Sequence, residues 1–296
     1  MSDFLSRLRR PKPQAAQAQT GGRSLVVWGP EGSTGRSAIA ANIAAELALS
    51  GFRVLLIDAD TYAPSQTTLF GVTDAGAGIA AACRLVGQQR LDKEQIDRLS
   101  NAFEFGRGAL SLLGGLGSAN RWPELSADKI TQLIAIGKQL FDYVVVDVAS
   151  ALEDGIRQIG GVSDRNGAAR AGIACADKVI AVALADASGV QRFMVSLEGL
   201  RELTANNLTL INRLRGSVLG ADARRQIADT LSRFAGIEVD GWIPEDSSAF
   251  DLAAFQEVPL ALAKRNSAAR QAIAEFVRLQ ILELSGPLQS RVAKLG

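Results

Sequence analysis

The sequence predicts an α/β fold: a single domain built on a mostly parallel sheet, with helices on both faces. Short apolar runs alternate with segments whose apolar residues recur at helical spacing. The runs are continuously apolar, as in strands that are covered on both faces. Polar residues follow several runs directly, at the edge where such sheets bind ligands. With 296 residues, 47% of them hydrophobic, the chain is long enough for a full core.

The predicted elements start after a polar N-terminal stretch. We expect a flexible basic tail and linker over residues 1–22, one domain over 23–288 and a C-terminal tail over 289–296. The predicted strands are Ser24–Trp28, Arg53–Ile57, Ala109–Leu113, Asp142–Val148, Lys178–Leu184, Leu208–Asn212 and Ile237–Ile243. The predicted helices are one carrying Ile39, Ile43 and Leu47, then Gly78–Gln88, Asp92–Leu99, Asp128–Leu140, Gly167–Ala176, Val190–Leu203, Ala223–Phe234 and Ser267–Leu284.

The composition excludes several kinds of chemistry. The chain has no histidine, so histidine triads and histidine-ligated metals are excluded. Cys83 and Cys175 lie far apart in predicted helices, where we expect them to be small core residues. The net charge of +1 selects neither nucleic acid nor anionic lipid. No apolar run reaches the ~18 residues of a membrane span, and no signal peptide is apparent, so we expect a cytoplasmic protein.

The stretch Gly29–Ser37 has the layout of a phosphate-binding loop, between an apolar strand and a helix. Consecutive backbone N–H groups in such a loop, at a helix N-terminus, hold phosphate oxygens. An arginine, Arg36, stands where the usual lysine would be, and no lysine lies between Lys12 and Lys93 to replace it. The residues expected to contact phosphate are Gly32, Ser33, Thr34, Gly35, Arg36, Ser37 and Ala38.

Carboxylates follow two of the predicted strands. Asp58 and Asp60 end the second apolar run, and Asp147 ends the strand that begins near Phe141. A hydroxyl at Ser37 is placed to bind Mg²⁺, and Asp147 to hold the water shell of the metal. We expect a functional role for Asp60 and Asp147. Asp58 is equally well explained by a salt bridge.

Taken together, these segments resemble the MinD/ParA family of dimerising P-loop ATPases. The likeness runs in the family's order over residues 22–285 and includes similarity to its Cpa/Tad-type members, which have degraded loops. The segments that carry it are Gly29–Ser37, Ala40–Ala48, Val54–Asp60, Phe141–Asp147, Leu210–Arg213 and Ile243–Asp246.

The resemblance implies a P-loop NTPase fold, ATP and Mg²⁺ as cofactors and an ATP-promoted homodimer. By the same resemblance, Ser37 would ligate Mg²⁺, Asp147 would support the metal, and Asp60 would orient the attacking water. The adenine base would lie against Asn212, Pro244 and Asp246.

Departures from the family pattern predict weak or absent hydrolysis. Arg36 replaces the lysine that contacts the β- and γ-phosphates in the family. It keeps the positive charge, but its planar guanidinium has a different geometry. We still expect Arg36 to act in catalysis together with Asp60. Glu31 replaces the lysine that reaches the partner's nucleotide. The loop also has Pro30 and Ser33 at glycine positions, and Val148 follows Asp147 where the family has proline. Lost cations of this kind are worth ~10³-fold in rate.

The resemblance thus implies a nucleotide-dependent dimerising switch that positions partner machinery, whose identity the sequence does not give. Two alternatives stay open: a non-hydrolysing interaction scaffold and a ParA-like DNA-partitioning ATPase. The second depends on a basic stretch, for which a solvated helix face is the favoured interpretation. Its arginines are Arg213, Arg215, Arg224, Arg225 and Arg233. Residues 4–10 form either a basic amphipathic membrane contact or a disordered tail. By its position, Ala151–Arg165 is a candidate partner surface.

Overall fold

The protein is built around an eight-stranded sheet. The structure, a computed structural model, describes residues 21–73, 78–154, 156–158, 161–215 and 222–284. The strands of this sheet are β1 (Arg23–Trp28), β2 (Arg53–Ala59), β3 (Asn101–Phe105), β4 (Gly108–Leu113), β5 (Tyr143–Val148), β8 (Lys178–Leu184), β9 (Asn207–Leu214) and β10 (Gly241–Pro244). Two short strands, β6 (Ile156–Gln158) and β7 (Gly161–Ser163), form a separate antiparallel pair.

The order of the strands is β10-β9-β8-β1-β5-β2-β4-β3. All neighbours run parallel except β3, which pairs antiparallel with β4 at one edge. Because β1 lies between β5 and β8, and β5 between β1 and β2, the carboxyl ends of these strands meet. The register places Asp58 of β2 directly beside Asp147 of β5. The sheet therefore brings the predicted site residues to one edge, and the predicted α/β class is confirmed.

Helices cover both faces of the sheet. They are α1 (Arg36–Leu49), α2 (Gln66–Leu69), α3 (Gly78–Gly87), α4 (Lys93–Leu99), α5 (Ala127–Leu140), α6 (Gly167–Cys175), α7 (Ala187–Leu203), α8 (Ala223–Ala235), α9 (Ser247–Gln256), α10 (Leu260–Ala263) and α11 (Ala268–Phe276). A 3₁₀ turn, Ala119–Glu124, and a π-helical turn, Val277–Ile281, complete the set. Alternate residues of β1 feed two core layers: Val26 and Trp28 face α5–α7, and Leu25 and Val27 face α1 and α11. No helix in these described ranges is long and apolar enough to cross a membrane.

Some predicted elements differ from the structure. The predicted strand Ile237–Ile243 pairs only from Gly241, and its register shifts before Pro244, whose missing N–H breaks the ladder. The edge strand β3 was not predicted, because an edge strand with alternating exposure lacks a continuous apolar run. The helices α9 and α10 were also missed, and α11 is shorter than the predicted Ser267–Leu284. The candidate membrane contact 4–10 lies outside the described residues.

One buried ion pair joins the first helix to the last. Glu46 of α1 accepts two hydrogen bonds from the Arg270 guanidinium of α11, at 2.6 and 2.9 Å. Burial raises the pKa of Glu46, and the hydrogen bonds from Arg270 oppose that rise. Because Glu46 is buried, its charge depends on this one partner. The pair thereby fixes α11 against the helix that starts at the phosphate-binding loop.

We therefore expect Arg270→Ala to lower the free energy of unfolding by roughly 1–3 kcal/mol, because it leaves a buried acceptor without its hydrogen bonds. Urea denaturation followed by circular dichroism measures this loss. The matched control is Arg53→Ala, which removes an exposed bidentate pair with Asp142 and should cost less than about 1 kcal/mol. Equal losses of unfolding free energy in the two variants would show that the buried pair contributes no more to stability than the exposed one.

Candidate functional site

The loop between β1 and α1 forms an open cradle of backbone N–H groups. Gly32, Ser33 and Gly35 have φ angles of 107°, 57° and 83°, all in the left-handed region. Ser33 adopts this region although it has a side chain, which costs of order 1 kcal/mol. The backbone N–H groups of residues 32–38 donate no hydrogen bond within the described residues. These residues line a cleft of about 480 Å³.

Arg36, the first residue of α1, is folded back into its own loop. Its Nη1 donates to the Gly29 carbonyl at 3.0 Å and to the Pro30 carbonyl at 3.4 Å. Its Nη2 pairs with the Asp60 carboxylate at 3.4 Å. Only 16% of the Arg36 side chain is exposed. The guanidinium therefore ties the end of β1 to the end of β2.

Asp60 has both carboxylate oxygens engaged. Oδ2 pairs with Arg36, and Oδ1 accepts the backbone N–H groups of Tyr62 and Ala63 at 2.8 and 3.0 Å. The side chain is 3% exposed. In this conformation the predicted catalytic carboxylate anchors a turn, and its role in orienting a water stays a prediction.

Asp58 is a fully buried structural acceptor at the end of β2. Its Oδ2 accepts the backbone N–H groups of Ser65 and Gln66, each at 2.9 Å, and Oδ1 accepts that of Asp60 at 3.3 Å. Burial raises the pKa of Asp58 well above its usual range, and the neighbouring Asp147 charge adds to the rise. No described cation pairs with Asp58, so these contacts favour a local turn over a salt bridge, one of the explanations that the sequence left open for this residue.

Asp147 has the surroundings of a cation ligand. Its Oδ2 accepts a hydrogen bond from Gln66 Nε2 at 2.8 Å, whereas its buried Oδ1 has no hydrogen-bond partner in the described residues. Burial raises the pKa of Asp147 to about 6, and the neighbouring Ser37 side chain opposes that rise. A buried carboxylate oxygen left without a partner, beside a hydroxyl, fits the oxygen ligands that Mg²⁺ prefers.

Asn212 lies under the loop. Its Nδ2 donates to the Thr34 carbonyl at 2.9 Å, and its Oδ1 accepts the backbone N–H of Arg213 at 2.9 Å. A Cβ at Gly35 would lie 2.6 Å from that Nδ2. The amide thus holds the loop in place, and its predicted contact with adenine stays a prediction.

Pro244 and Asp246 lie further along the sheet edge, at the end of β10 and the start of α9. Asp246 Oδ1 accepts a hydrogen bond from the Ser248 hydroxyl at 3.3 Å. Neither residue is among those that line the cleft, which are residues 31–38, Ser150 and Arg213. Their predicted base contact therefore also stays a prediction.

The segments that follow β2 and precede α6 contact each other directly. The Arg165 guanidinium donates to the Thr61 carbonyl and lies 3.8 Å from the Tyr62 ring centroid. The Tyr62 hydroxyl and Asn166 Oδ1 are 2.8 Å apart. Movement of one segment would therefore displace the other.

Sequence reasoning missed three contributors to the site. Gln66 is fully buried, and its Nε2 bridges Asp147 and the Ser37 carbonyl. Arg192 of α7 lies against Gly32, and Arg213 lines the cleft. Nothing in the local pattern around Gln66 or Arg192 marked them, because each meets the loop only through the tertiary fold. Arg213 belongs to the segment Leu210–Arg213 and to the basic stretch, but the sequence does not mark it as a residue of the site.

The family model described as the CobQ/CobB/MinD/ParA nucleotide binding domain matches residues 25–260. The chain belongs to this family. The septum site-determining protein MinD of Bacillus subtilis is 23% identical over 277 residues, covering 88% of this chain and 93% of that protein. The predicted MinD/ParA resemblance is confirmed.

Solved structures of the family share the fold. A ParA family ATPase from Chlorobium tepidum TLS superposes with a TM-score of 0.70 at 19% identity, covering 86% of this chain and 98% of that one. MinD from Pyrococcus horikoshii OT3, solved with Mg-ADP, gives a TM-score of 0.68 at 18% identity, covering 88% and 97%. The predicted P-loop NTPase fold is thereby confirmed.

The raised pKa of Asp147 makes a prediction about stability. Between about pH 4 and pH 6 this carboxyl group is ionised in the unfolded chain but still protonated in the folded one. The free energy of unfolding therefore falls as pH rises through this range. We expect Asp147→Asn to stabilise the ligand-free protein at neutral pH by roughly 1–3 kcal/mol.

Thermal denaturation across the pH range measures this effect. The gain should be complete above about pH 6 and vanish below about pH 4. Asp251→Asn, which removes an exposed carboxylate on α9, is the matched control and should leave the melting temperature unchanged. A melting temperature of Asp147→Asn at or below that of the wild type at neutral pH would contradict the strained-carboxylate interpretation.

Proposed function

We propose that this MinD/ParA family protein is a nucleotide-dependent dimerising switch that binds ATP with Mg²⁺, hydrolyses it slowly or not at all, and positions partner machinery. One observation carries the proposal. The backbone N–H groups of residues 32–38, which donate to no residue that the structure describes, line a cleft at the N-terminus of α1. Such an array, at the positive end of a helix dipole, is a site for phosphate oxygens.

The surroundings of the cradle support a place for the remaining parts of the ligand. Ser37 and Asp147 would hold Mg²⁺, which when bound supplies charge that neutralises the phosphates. The unpartnered Oδ1 of Asp147 supports this placement. The base would extend towards the ends of β9 and β10, where Asn212, Pro244 and Asp246 lie.

The contacts and exposure of the charged residues support the proposal of slow hydrolysis. Asp60 is held by Arg36 and by two backbone N–H groups, so it is not poised to orient water. Glu31 is exposed at the rim of the cleft and has no ion pair within the described residues. It therefore adds negative charge where the transition state needs positive charge.

The switch would act through Gln66. Because Gln66 contacts Asp147 and the Ser37 carbonyl, and its backbone N–H donates to Asp58, a change at the metal site reaches the segment after β2. That segment contacts Arg165. We propose that nucleotide binding thereby reshapes the surface formed by Tyr62 and the neighbouring loop, which a second copy or a partner protein recognises.

Isothermal titration of ATP with Mg²⁺ tests the proposal. We expect saturable binding, together with a rise in melting temperature at millimolar ATP. Ser37→Ala should lose most of the gain in affinity that Mg²⁺ provides and should leave metal-free ADP binding unchanged, because only the metal ligand is removed. Ser232→Ala, which removes an exposed hydroxyl on α8 that lines neither this cleft nor the adjoining one, is the control.

The opposing outcomes are distinct. Absence of both heat and thermal shift at millimolar ATP would overturn the switch and leave the non-hydrolysing scaffold. Binding that is independent of Mg²⁺, and equal in wild type and Ser37→Ala, would contradict the metal site alone.

A further inference from the structure

Two arginines that do not belong to the phosphate-binding loop lie at its rim. Arg192 is exposed on α7, and its Nη1 lies so close to Gly32 that a Cβ at that position would overlap it. Among the described residues, no carboxylate or carbonyl accepts a hydrogen bond or ion pair from its guanidinium. Arg192 therefore presents a free cation beside the cradle.

Arg213 reaches the same region from the end of β9. Its backbone has a φ of 57°, a conformation that is strained for a residue with a side chain. Asn212 holds this turn, since its Oδ1 accepts the Arg213 N–H while its Nδ2 binds the Thr34 carbonyl. The exposed Arg213 side chain lines the cleft, and its guanidinium is likewise unpaired within the described ranges.

Within the part of the chain that the structure describes, Arg192 and Arg213 carry positive charges at the cleft that no carboxylate opposes. The charge of Arg36 is already opposed by Asp60. Glu31 contributes an unpaired negative charge at the rim. An adjoining cleft, lined by Arg192, shares Glu31 and Gly32 with the first, so Arg192 and Arg213 act on one continuous space.

We infer that Arg192 and Arg213 form a clamp, supplied by the same subunit, on the outer phosphate oxygens of a nucleoside di- or triphosphate. The clamp rests on the proposed nucleotide binding and deepens it. The loop N–H groups hold the phosphate chain from below, and the two guanidinium groups neutralise it from the rim. Arg36 keeps its contacts with Gly29 and Asp60 when phosphate is bound.

The clamp has consequences that the cradle alone does not have. Phosphate affinity does not require a cation from a second subunit, so a monomer binds the nucleotide. Because both guanidinium groups are exposed, their contribution weakens as ionic strength rises. Their exposure also means that their replacement leaves the fold intact.

Titration with two probes, inorganic tripolyphosphate and ATP with Mg²⁺, tests the clamp. We expect Arg192→Ala and Arg213→Ala each to weaken binding of both probes about tenfold, which is typical of a lost charged hydrogen bond. Lysine at either position should restore part of the affinity. Arg98→Ala, which removes an exposed, unpaired arginine on α4, is the matched control and should bind as wild type with an unchanged melting temperature.

Each result discriminates. If ATP binds and neither alanine variant changes its affinity, the clamp is wrong and the proposed function stands. If tripolyphosphate binding depends on both arginines while ATP gives no added affinity, the clamp stands and nucleotide recognition is wrong. If neither probe binds the wild type, both are wrong. An equal loss in Arg98→Ala would reduce the effect to overall charge and overturn the clamp.

Discussion

The contact between Arg36 and its own loop is the interaction on which the arrangement of the site depends. One guanidinium joins the Gly29 carbonyl at the end of β1 to the Asp60 carboxylate at the end of β2. A cation at this position would otherwise face the phosphates. The folded-in Arg36 side chain contacts the loop at the Gly29 and Pro30 carbonyls, and the N–H groups of residues 32–38 donate to none of the residues that the structure describes. On the proposed function, this contact would separate binding from hydrolysis, because the cradle remains while the cation and the carboxylate expected to act in cleavage hold each other.

The same edge of the sheet carries two buried carboxyl groups that lower the stability of the ligand-free protein. Asp58 and Asp147 lie side by side and fully buried, and burial raises the pKa of both carboxyl groups. Such a pair destabilises the ligand-free protein and suits a site that a divalent cation stabilises. Gln66 links this strained region to the segment after β2. The elements that would respond to nucleotide are therefore those that carry the buried charge.

Much of this organisation was predictable from sequence. Parallel strands bring Asp58, Asp60 and Asp147 together, because carboxyl ends of adjacent parallel strands meet at one edge. The loop was recognisable from its spacing. The inward turn of Arg36 was not recognisable from sequence, because it depends on where the fold places the Gly29 carbonyl and the Asp60 carboxylate. Gln66 and Arg192 carry no local pattern and reach the site only through long-range contacts. The edge strand β3 was missed because its exposure alternates.

The most direct test of the inward-turned Arg36 is the ATP turnover of the double variant Arg36→Lys/Glu31→Lys, measured as steady-state phosphate release. The shorter side chain, with its point-like ammonium, does not reproduce the planar fork that spans Gly29 and Asp60, so we expect the hold on Asp60 to weaken. The second lysine replaces a repelling carboxylate with a cation. Turnover should rise at least tenfold, within the ~10³-fold range of such cations. Unchanged turnover, with ATP still bound, would show that Arg36 and Glu31 do not limit hydrolysis and would contradict the separation of binding from cleavage at this contact.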